Sequence, residues 1–333
     1  MQKTKNYSMK KVAQLAGVSV ATVSRILNHR GGYSEETRDL VINVARHLGY
    51  LPEPARWLPE EKRPVIGILV PDITNEYFAN IVLELQNSLF VQGFLVTVCN
   101  VNESEELTRQ YVAALLAQEI SALVFVCGLG SDISVPDVPV LYIDRHPHSR
   151  GQDVIIIESD NNNGGYQATR ELIRCQCKNI AFLTDSLDMS SKQSRYQGYL
   201  RALQKADLPA EPSLFICAGK SEIEAGKQAI MDFLAAEPEL DGIMCTTDHL
   251  AAGAILGLKE FGIRVPEDVK VTGYDDLSIA EFFYPSITSI RQDTKRMAQK
   301  ATELLMELLK ERPVEKRQVI IPISLSCRNS TRP

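Results

Sequence analysis

Residues 8–28 read SMKKVAQLAGVSVATVSRILN, and this stretch has the pattern of a helix-turn-helix. Val12, Leu15 and Ala16 recur at the spacing of one face of a first helix. Gly17 follows at the point where a tight turn needs a residue that tolerates positive φ. The stretch therefore predicts two short helices that pack against each other across a turn.

Ser19 would cap the second helix, which we expect to end near Leu27. Val20, Val23 and one of Ile26 and Leu27 would turn inward. The second helix of such a motif lies in the DNA major groove, where its N-terminal residues meet base edges. The alternative is an ordinary antiparallel helix pair, which gives no reason for the arginine on the outer face.

The outer side of the second helix supplies the candidate DNA contacts. Arg25 has the fork of donors that makes a bidentate contact with guanine. The candidates in this segment are Ser19, Val20, Ala21, Thr22, Ser24, Arg25 and Asn28.

The charge distribution agrees with a DNA-binding head. Residues 1–50 contain eight lysines and arginines against three acidic residues, although the whole chain has a net charge of −6. A basic head is expected to bind phosphates in a salt-dependent manner, while the acidic body is repelled by the duplex.

The composition indicates a globular protein with more than one domain. The chain has 333 residues, 44% of them hydrophobic and 23% charged. No apolar run approaches the length of a membrane span, and the N-terminus MQKTKNYSMKK lacks the apolar core of a signal peptide, so we expect a cytoplasmic protein. The seven cysteines lie mostly in apolar stretches, which predicts reduced thiols and no metal centre.

A third helix follows the motif, with Ser34 as its cap. Its apolar face consists of Val41, Ile42, Val44, Ala45 and Leu48. We place the end of this head domain near Tyr50. Residues 51–64, LPEPARWLPEEKRP, then predict either a plain linker or one helical turn between two prolines.

From Val65 onward, short apolar runs alternate with amphipathic helical stretches in two successive sets. This alternation predicts two doubly wound parallel-sheet lobes, so the expected fold class is a small all-α head joined to an α/β body. We assign residues 65–160 with 291–320 to the amino-terminal lobe and residues 161–290 with 321–331 to the carboxy-terminal lobe. The tail reads QVIIPISL from residue 318 and predicts one last strand.

Polar residues follow strands in both lobes, at the ends where open α/β sheets bind their ligands. They are Asp72 to Asn75, Asp144 with Arg145, Asp160 with Asn161, Asp248, and Asp275 with Asp276. Each residue taken alone is better explained by a helix cap or a turn, and we expect Asp276 to cap a helix at 277–282. Their repetition at one face of both sheets favours a cleft that binds a ligand rich in hydroxyl groups.

At this point the chain resembles the lactose/galactose repressor (LacI/GalR) family of bacterial transcription regulators, from about Met9 to Thr331. The segments that carry the resemblance are VAQLAGVSVATVSRILN (12–28), YSEETRDLVINVARHLGYLP (33–52), IGILVPDITNEYF (66–78), VPVLYIDR (138–145), RYQGYLRAL (195–203), TTDHLAAGAILGLKEFGIRVPEDVKVTGYDD (246–276), SITSIRQD (286–293) and LSCRNST (325–331).

The resemblance implies a homodimer whose paired heads read a near-palindromic operator in double-stranded DNA. It also implies a body like a type I periplasmic binding protein, which holds a small effector between its lobes. That effector is usually a sugar or sugar phosphate, but a few members use a purine or a phosphocarrier protein instead. A default role as a repressor follows from the same resemblance.

On the DNA side, the resemblance matches Val20, Ala21 and Arg25 to base-reading positions. It matches Leu58 to a hinge leucine that wedges between base steps in the minor groove. The set of candidate DNA contacts is completed by Tyr50, Ala55 and Leu58. The interval from Tyr50 to Ala55 is one residue shorter than the family pattern, and Trp57 and Pro59 also depart from it.

In the cleft, the resemblance assigns Asp144, Arg195 and Asp275 to positions that hold sugar hydroxyls. Thr247 stands where many members have asparagine, and Asp248 beside it is the acid that the family usually carries. The remaining candidates are Gln292 at a crossover between the lobes, Asn75, and the aromatic pair Tyr77 and Phe78. These two rings could stack on a pyranose or belong to the core.

The resemblance places the dimer face on the first helix of the amino-terminal lobe, around Ile81, Leu85 and Leu89, with matching surface on the other lobe. No leucine-heptad tail follows LSCRNST, which favours a dimer over a coiled-coil tetramer.

Two other function classes fit the sequence less well. A sugar receptor without a DNA role would carry a signal peptide and lack the basic head. A dinucleotide enzyme would show G-x-G-x-x-G after the first strand of the body, and the five histidines form no set with a nucleophile. We therefore expect no catalytic residue, no cofactor, no metal and no membrane partner.

Overall fold

The computed structural model describes residues 9–27, 32–48, 63–126, 135, 138–146, 154–236, 239–314 and 317–332. The chain divides into two compact units, with the division between Arg63 and Pro64. The described part contains no helix that is both long and apolar enough to cross a membrane.

The first unit contains three helices, α1 (Met9–Ala16), α2 (Val20–Leu27) and α3 (Glu35–His47). Gly17 takes φ +64° at the turn between α1 and α2, as the sequence predicts. The core is formed by Val12, Ala13, Ala16, Val23, Ile26, Val41 and Ala45, all of them buried. The helix-turn-helix and its third helix are therefore confirmed.

Two apolar residues of this unit do not face the core as predicted. Leu15 is 53% exposed and Val20 is 41% exposed. Each of the first two helices is only eight residues long, so a narrow stripe of each faces the core, and Ala13 occupies the place expected for Leu15. Ile26 rather than Leu27 is the fully buried residue at the end of α2.

The amino-terminal lobe is a six-stranded sheet in which all strands are parallel, in the order β11-β5-β4-β3-β1-β2. Its elements are β1 (Val65–Val70), α4 (Glu76–Val91), β2 (Leu95–Asn100), α5 (Glu105–Leu116), β3 (Ala122–Phe125), β4 (Val140–Ile143), β5 (Ile155–Ser159), α11 (Thr294–Leu309) and β11 (Gln318–Ile321). Helices α4 and α11 pack together on one face of this sheet.

The carboxy-terminal lobe is a second six-stranded sheet, in the order β12-β10-β9-β8-β6-β7. Its elements are α6 (Asn161–Arg174), β6 (Ile180–Thr184), α7 (Ser190–Lys205), β7 (Phe215–Cys217), α8 (Ile223–Leu234), β8 (Gly242–Cys245), α9 (Asp248–Glu260), β9 (Lys270–Asp275), α10 (Ser278–Phe282), β10 (Thr288–Gln292) and β12 (Ile323–Ser326). Strand β12 runs antiparallel to β10, while the other described pairs are parallel.

The chain passes between the two sheets three times, at Asp160, Asp293 and Pro322. The prediction of one last strand in QVIIPISL is wrong, because this segment forms β11 in one sheet and β12 in the other. Pro322 separates them, since proline has no N–H to donate to a sheet ladder.

The residues predicted for the dimer face on α4 are also wrong. Ile81, Leu85 and Leu89 are fully buried and pack on the sheet of their own lobe. The exposed apolar residues of this helix are Leu83, Phe90 and Val91. The helical period separates the two faces, because α4 uses one stripe for the core and leaves another outside.

The packing of α6 against α7 is unusually close and brings Arg195 to the cleft. A Cβ atom built on Gly165 would lie 2.0 Å from the backbone oxygen of Arg195. No side chain fits there, so glycine at 165 allows α7 to approach α6.

Candidate functional site

The head presents a capped and exposed second helix. The Ser19 Oγ accepts a hydrogen bond from the backbone N–H of Thr22 at 3.0 Å and lies 2.9 Å from the Thr22 hydroxyl. Those two hydroxyls therefore serve the helix cap in this structure. Ala21 and Arg25 are exposed, and Ser24 is half-buried.

Four of the predicted DNA contacts lie outside the described residues. They are Asn28, Tyr50, Ala55 and Leu58.

A cleft between the two lobes forms a cavity of about 560 Å³, which is in the range of small-molecule sites. Seven of the nine predicted effector residues line it, from both lobes: Asn75, Tyr77, Phe78, Asp144, Arg195, Thr247 and Asp275. The carboxyl ends of parallel strands meet at this cleft, which is the place expected for ligands of such sheets.

Tyr77 and Asp144 form the amino-terminal wall of the cleft. The Tyr77 hydroxyl donates a hydrogen bond to Oδ1 of Asp144 at 2.8 Å. Burial raises the pKa of Tyr77 well above its ordinary value, and the nearby Asp144 adds to this, so the phenol stays a neutral donor. The Phe78 ring meets the Tyr77 ring edge to face, with 5.3 Å between centroids.

Arg195 is held in a fixed orientation in the opposite wall. Its Nε donates to Oδ1 of Asn161 at 2.9 Å, and its Nη1 donates to the carbonyl oxygen of Thr246 at 2.6 Å. The guanidinium lies 3.5 Å from the centroid of the Tyr274 ring. Its Nη2 is 3.7 Å from Oδ1 of Asp275, which directs the two groups towards the same ligand position.

The two strand-end carboxylates share an uncommon backbone conformation. Asp144 has φ +68° and Asp275 has φ +101°, both in the region that side-chain-bearing residues rarely adopt. Backbone strain of this kind clusters at functional sites. Burial raises the pKa of Asp275 to about 6, while Arg195 acts in the opposite direction.

Asp248 does not line the cleft, contrary to the prediction. It is completely buried, where its Oδ1 accepts a hydrogen bond from the Ser289 hydroxyl at 2.6 Å and its Oδ2 accepts one from the Leu277 N–H at 2.8 Å. Burial raises its pKa well above the ordinary value. Asp248 therefore braces the structure beneath the cleft. Thr247 caps α9 by accepting from the Leu250 N–H at 3.3 Å.

Gln292 also lies behind the cleft wall rather than in it. Its Nε2 donates to Oδ1 of Asp275 at 2.7 Å, and its Oε1 lies 3.1 Å from the Tyr77 hydroxyl. Gln292 thus connects a cleft residue of each lobe. Asp276 does not cap a helix as predicted; it pairs with Arg328 at 2.6 Å.

Several charged residues that line the cleft were not predicted as effector contacts, although Arg145 was among the predicted strand-end residues. Arg145 donates from Nη1 to Oε1 of Glu103 at 2.7 Å, and Lys192 pairs with Asp185. Arg145 directly follows Asp144, and Asp185 is the last residue of the predicted strand NIAFLTD, so both stand at strand ends where the sequence predicts a ligand site. Glu103 and Lys192 lie in a turn and a helix, where the sequence gives no indication of the cleft.

The lobes also contact each other directly. The Ser278 hydroxyl donates to Oε2 of Glu76 at 2.5 Å, and the Ser278 N–H lies 3.1 Å from the same oxygen. The His146 N–H donates to Oγ of Ser190 at 3.3 Å. A movement of one lobe relative to the other would have to break these contacts.

Both parts of the chain match models of known protein families. Residues 8–53 match the model of bacterial regulatory proteins of the lacI family, and residues 169–331 match a periplasmic binding protein-like domain. The HTH-type transcriptional regulator RegA of Clostridium saccharobutylicum is 31% identical, over 97% of this chain and 99% of that protein. The HTH-type transcriptional repressor PurR of Vibrio atlanticus is 32% identical, over 93% of this chain and 94% of that protein.

Two solved structures resemble the whole chain. A complex of the transcriptional regulator CelR with cellobiose has 28% identity and a TM-score of 0.74, with 98% of this chain and 100% of that chain covered. The lac repressor dimer bound to operator and the anti-inducer ONPF has 26% identity and a TM-score of 0.74, with 98% of this chain and 99% of that chain covered.

Proposed function

Since this chain belongs to the LacI family of bacterial regulatory proteins and is a DNA-binding transcription regulator, we propose that it represses carbohydrate-utilisation genes under the control of a sugar effector. The sugar binds in the cleft between the lobes and changes the affinity of the head for operator DNA. The regulator acts in the cytoplasm, where its DNA is found.

The observation that carries this proposal is the facing pair of strand-end carboxylates, Asp144 and Asp275. Each projects from the end of a strand in a different lobe, with a fixed donor beside it: Tyr77 for Asp144 and Arg195 for Asp275. A sugar presents adjacent hydroxyls, each of which both donates and accepts a hydrogen bond. A carboxylate with a donor beside it can therefore bind such hydroxyls, and the cleft has one such pair in each lobe. The CelR–cellobiose complex supports the same ligand class, because the fold of that chain is similar over its full length.

The proposal includes a homodimer, and exposed apolar surface on both lobes supports it. Leu83 and Val91 of α4 are exposed, as are Leu95 and Val98 of β2, which is the edge strand of its sheet. A second exposed apolar group on the other lobe is Phe282 with Tyr284, at the end of α10. The contact of Ser278 with Glu76 puts α10 beside the start of α4. Exposed apolar surface of this extent is typical of an interface.

Coupling between effector and DNA would pass through the lobe interface. Gln292 joins Asp275 of one lobe to Tyr77 of the other, and α11 begins two residues later. A ligand that binds Asp144 and Asp275 changes the free energy of lobe closure, and the two binding equilibria are then linked reciprocally.

The test has two parts with the purified full-length protein. Selection of DNA sequences should return a near-palindromic operator, and titration with mono- and disaccharides, their phosphates, purine bases and a phosphocarrier protein should show which compound changes operator affinity. A response to a sugar supports the proposal. A response to a purine or to the phosphocarrier alone, the two alternatives within the family, would overturn the sugar assignment and leave the DNA role intact.

A further inference from the structure

A site for an anionic ligand needs cations that are free to pair with it, and the cations of this cleft are already paired with carboxylates. Seven carboxylates line the cleft against four cations. Every one of these four cations has a carboxylate partner within 4 Å: Arg145 with Glu103, Lys192 with Asp185, Arg195 with Asp275, and Lys220 with Glu222.

Three of these cations are buried, so their charges are not available to a ligand without a cost; the carboxylate partners of Lys192 and Arg195 are largely buried too, whereas Glu103 is half-exposed. The side chains of Arg145, Lys192 and Arg195 are each less than 10% exposed. Separating such a pair leaves a buried charge without compensation, which is strongly unfavourable. A phosphate group would have to compete with a carboxylate for each cation, in a cleft that already has an excess of negative charge.

The charge of Arg145 is neutralised by Glu103, but one of its N–H donors has no acceptor. Its guanidinium lies 5.1 Å from the centroid of the Phe78 ring, and Glu103 binds its Nη1. Its Nε is buried and has no hydrogen-bond partner among the described residues, with Oδ2 of Asp144 3.8 Å away. A ligand that supplies a neutral oxygen at this wall can satisfy such a group, while a second anion is opposed by Glu103 and Asp144.

We infer that the cleft is built for an uncharged effector, and that Glu103 sets this preference by neutralising Arg145. The inference deepens the proposed function and rests on it, since it concerns the same cleft. Arg145 acts as a binding residue, and Glu103 as a positioning residue that acts through it. The cleft therefore selects a free sugar over its phosphate ester.

The matched variants are Glu103→Gln, Arg145→Gln and the control Glu105→Gln. Glu103 is half-exposed, so its amide is expected to leave the fold intact, and thermal unfolding checks this. Glu105 lies two residues away, pairs with Arg109 at 3.5 Å and does not line the cleft. Arg145→Gln removes the cation instead of its partner.

Calorimetry of the full-length protein would use glucose, lactose and cellobiose, each beside its 6-phosphate, and hypoxanthine beside its nucleotide. We expect the wild type and Glu105→Gln to bind an uncharged compound at least about tenfold more tightly than its phosphate. Glu103→Gln should narrow this ratio of affinities by about tenfold, because the Arg145 guanidinium then keeps only the more distant Asp144 as a carboxylate neighbour and can bind the phosphate. Arg145→Gln should weaken the uncharged compound without favouring the phosphate.

The outcomes separate this inference from the sugar assignment. A sugar phosphate that binds the wild type as tightly as the free sugar, or a ratio that Glu103→Gln leaves unchanged, would overturn the inference and keep the sugar. If hypoxanthine binds and no sugar does, and hypoxanthine binds more tightly than its nucleotide, the sugar assignment is wrong but the preference for an uncharged effector stands. No binding by any compound would count against both.

Discussion

Gln292 donates a hydrogen bond to Asp275 over 2.7 Å, and Gln292 is the last strand residue before the chain leaves the carboxy-terminal lobe. The effector cleft and the crossover between the lobes are therefore in direct contact. A ligand that engages Asp275 acts on a residue already bonded to the crossover, which gives effector binding a short physical route to lobe movement.

Asp275→Ala should abolish the effector response and leave operator binding intact. The substitution removes an acceptor that faces Arg195 in the cleft, so we expect effector affinity to fall roughly 10- to 100-fold. Operator affinity is measured by gel shift with and without effector. Asp232→Ala, an exposed change on α8, is the control. An undiminished response in Asp275→Ala would remove this residue from the effector site.

The ionisation of Asp275 should leave a signature in the pH dependence of stability. Burial raises its pKa from 3.8 to about 6, so the folded protein holds this proton more tightly than the unfolded chain. The contribution of Asp275 to stability is therefore greatest at or below pH 3.8, and it falls by up to about 3 kcal/mol as pH rises to about 6. Urea unfolding of wild type and Asp275→Asn from pH 4 to pH 7 measures this difference. A constant difference between the two proteins would contradict it.

Arg25→Ala should relax operator specificity at one base pair in each half-site. Arg25 is exposed on α2, and a bidentate contact with guanine contributes about 1–3 kcal/mol of discrimination. Binding to a set of operators with single base changes gives the measurement. Lys10→Ala, an exposed change on α1, should weaken all operators alike and reduce the salt dependence. Uniform weakening by Arg25→Ala would assign Arg25 to the phosphate backbone.

Leu83→Glu should dissociate the proposed dimer. Leu83 is 54% exposed on α4, and a carboxylate buried in an apolar interface is unfavourable, so we expect the dimer to weaken by at least about tenfold. Light scattering over a range of protein concentrations reports the change, together with a loss of operator affinity. Ile320→Glu on β11, at the opposite edge of the same sheet, is the matched control. Equal effects of the two substitutions would reject the α4 face.

The sequence predicts the layout of this protein better than its side-chain directions. Hydrophobic runs and turn residues are local signals, so the three head helices and the alternation of both lobes were predictable. The face of α4 that meets the core was misassigned, although Ile81, Leu85 and Leu89 form one stripe at helical spacing, because the resemblance assigned the interface to this helix without fixing which of its faces is exposed.

In the cleft, too, some residues were predictable from the sequence and others were not. Asp144 and Asp275 were predictable because each ends a strand, and strand ends meet at one edge of a parallel sheet. Asp248 follows the same rule and is buried, because the Ser289 and Leu277 groups that bind it come from later parts of the chain. Glu103 was missed because it lies in a turn after the end of β2, and its ion pair with Arg145 in the cleft joins residues 42 positions apart in the chain.

The three passages between the lobes have a consequence for how this protein is made. The amino-terminal sheet is complete only when β11 has been added, at residue 321, and the carboxy-terminal sheet only with β12, at residues 323–326. A ribosome must therefore release nearly the whole chain before either sheet has all its strands. A chain that terminates before residue 318 lacks an edge strand in both sheets, so a single truncation near the C-terminus leaves the two lobes incomplete together.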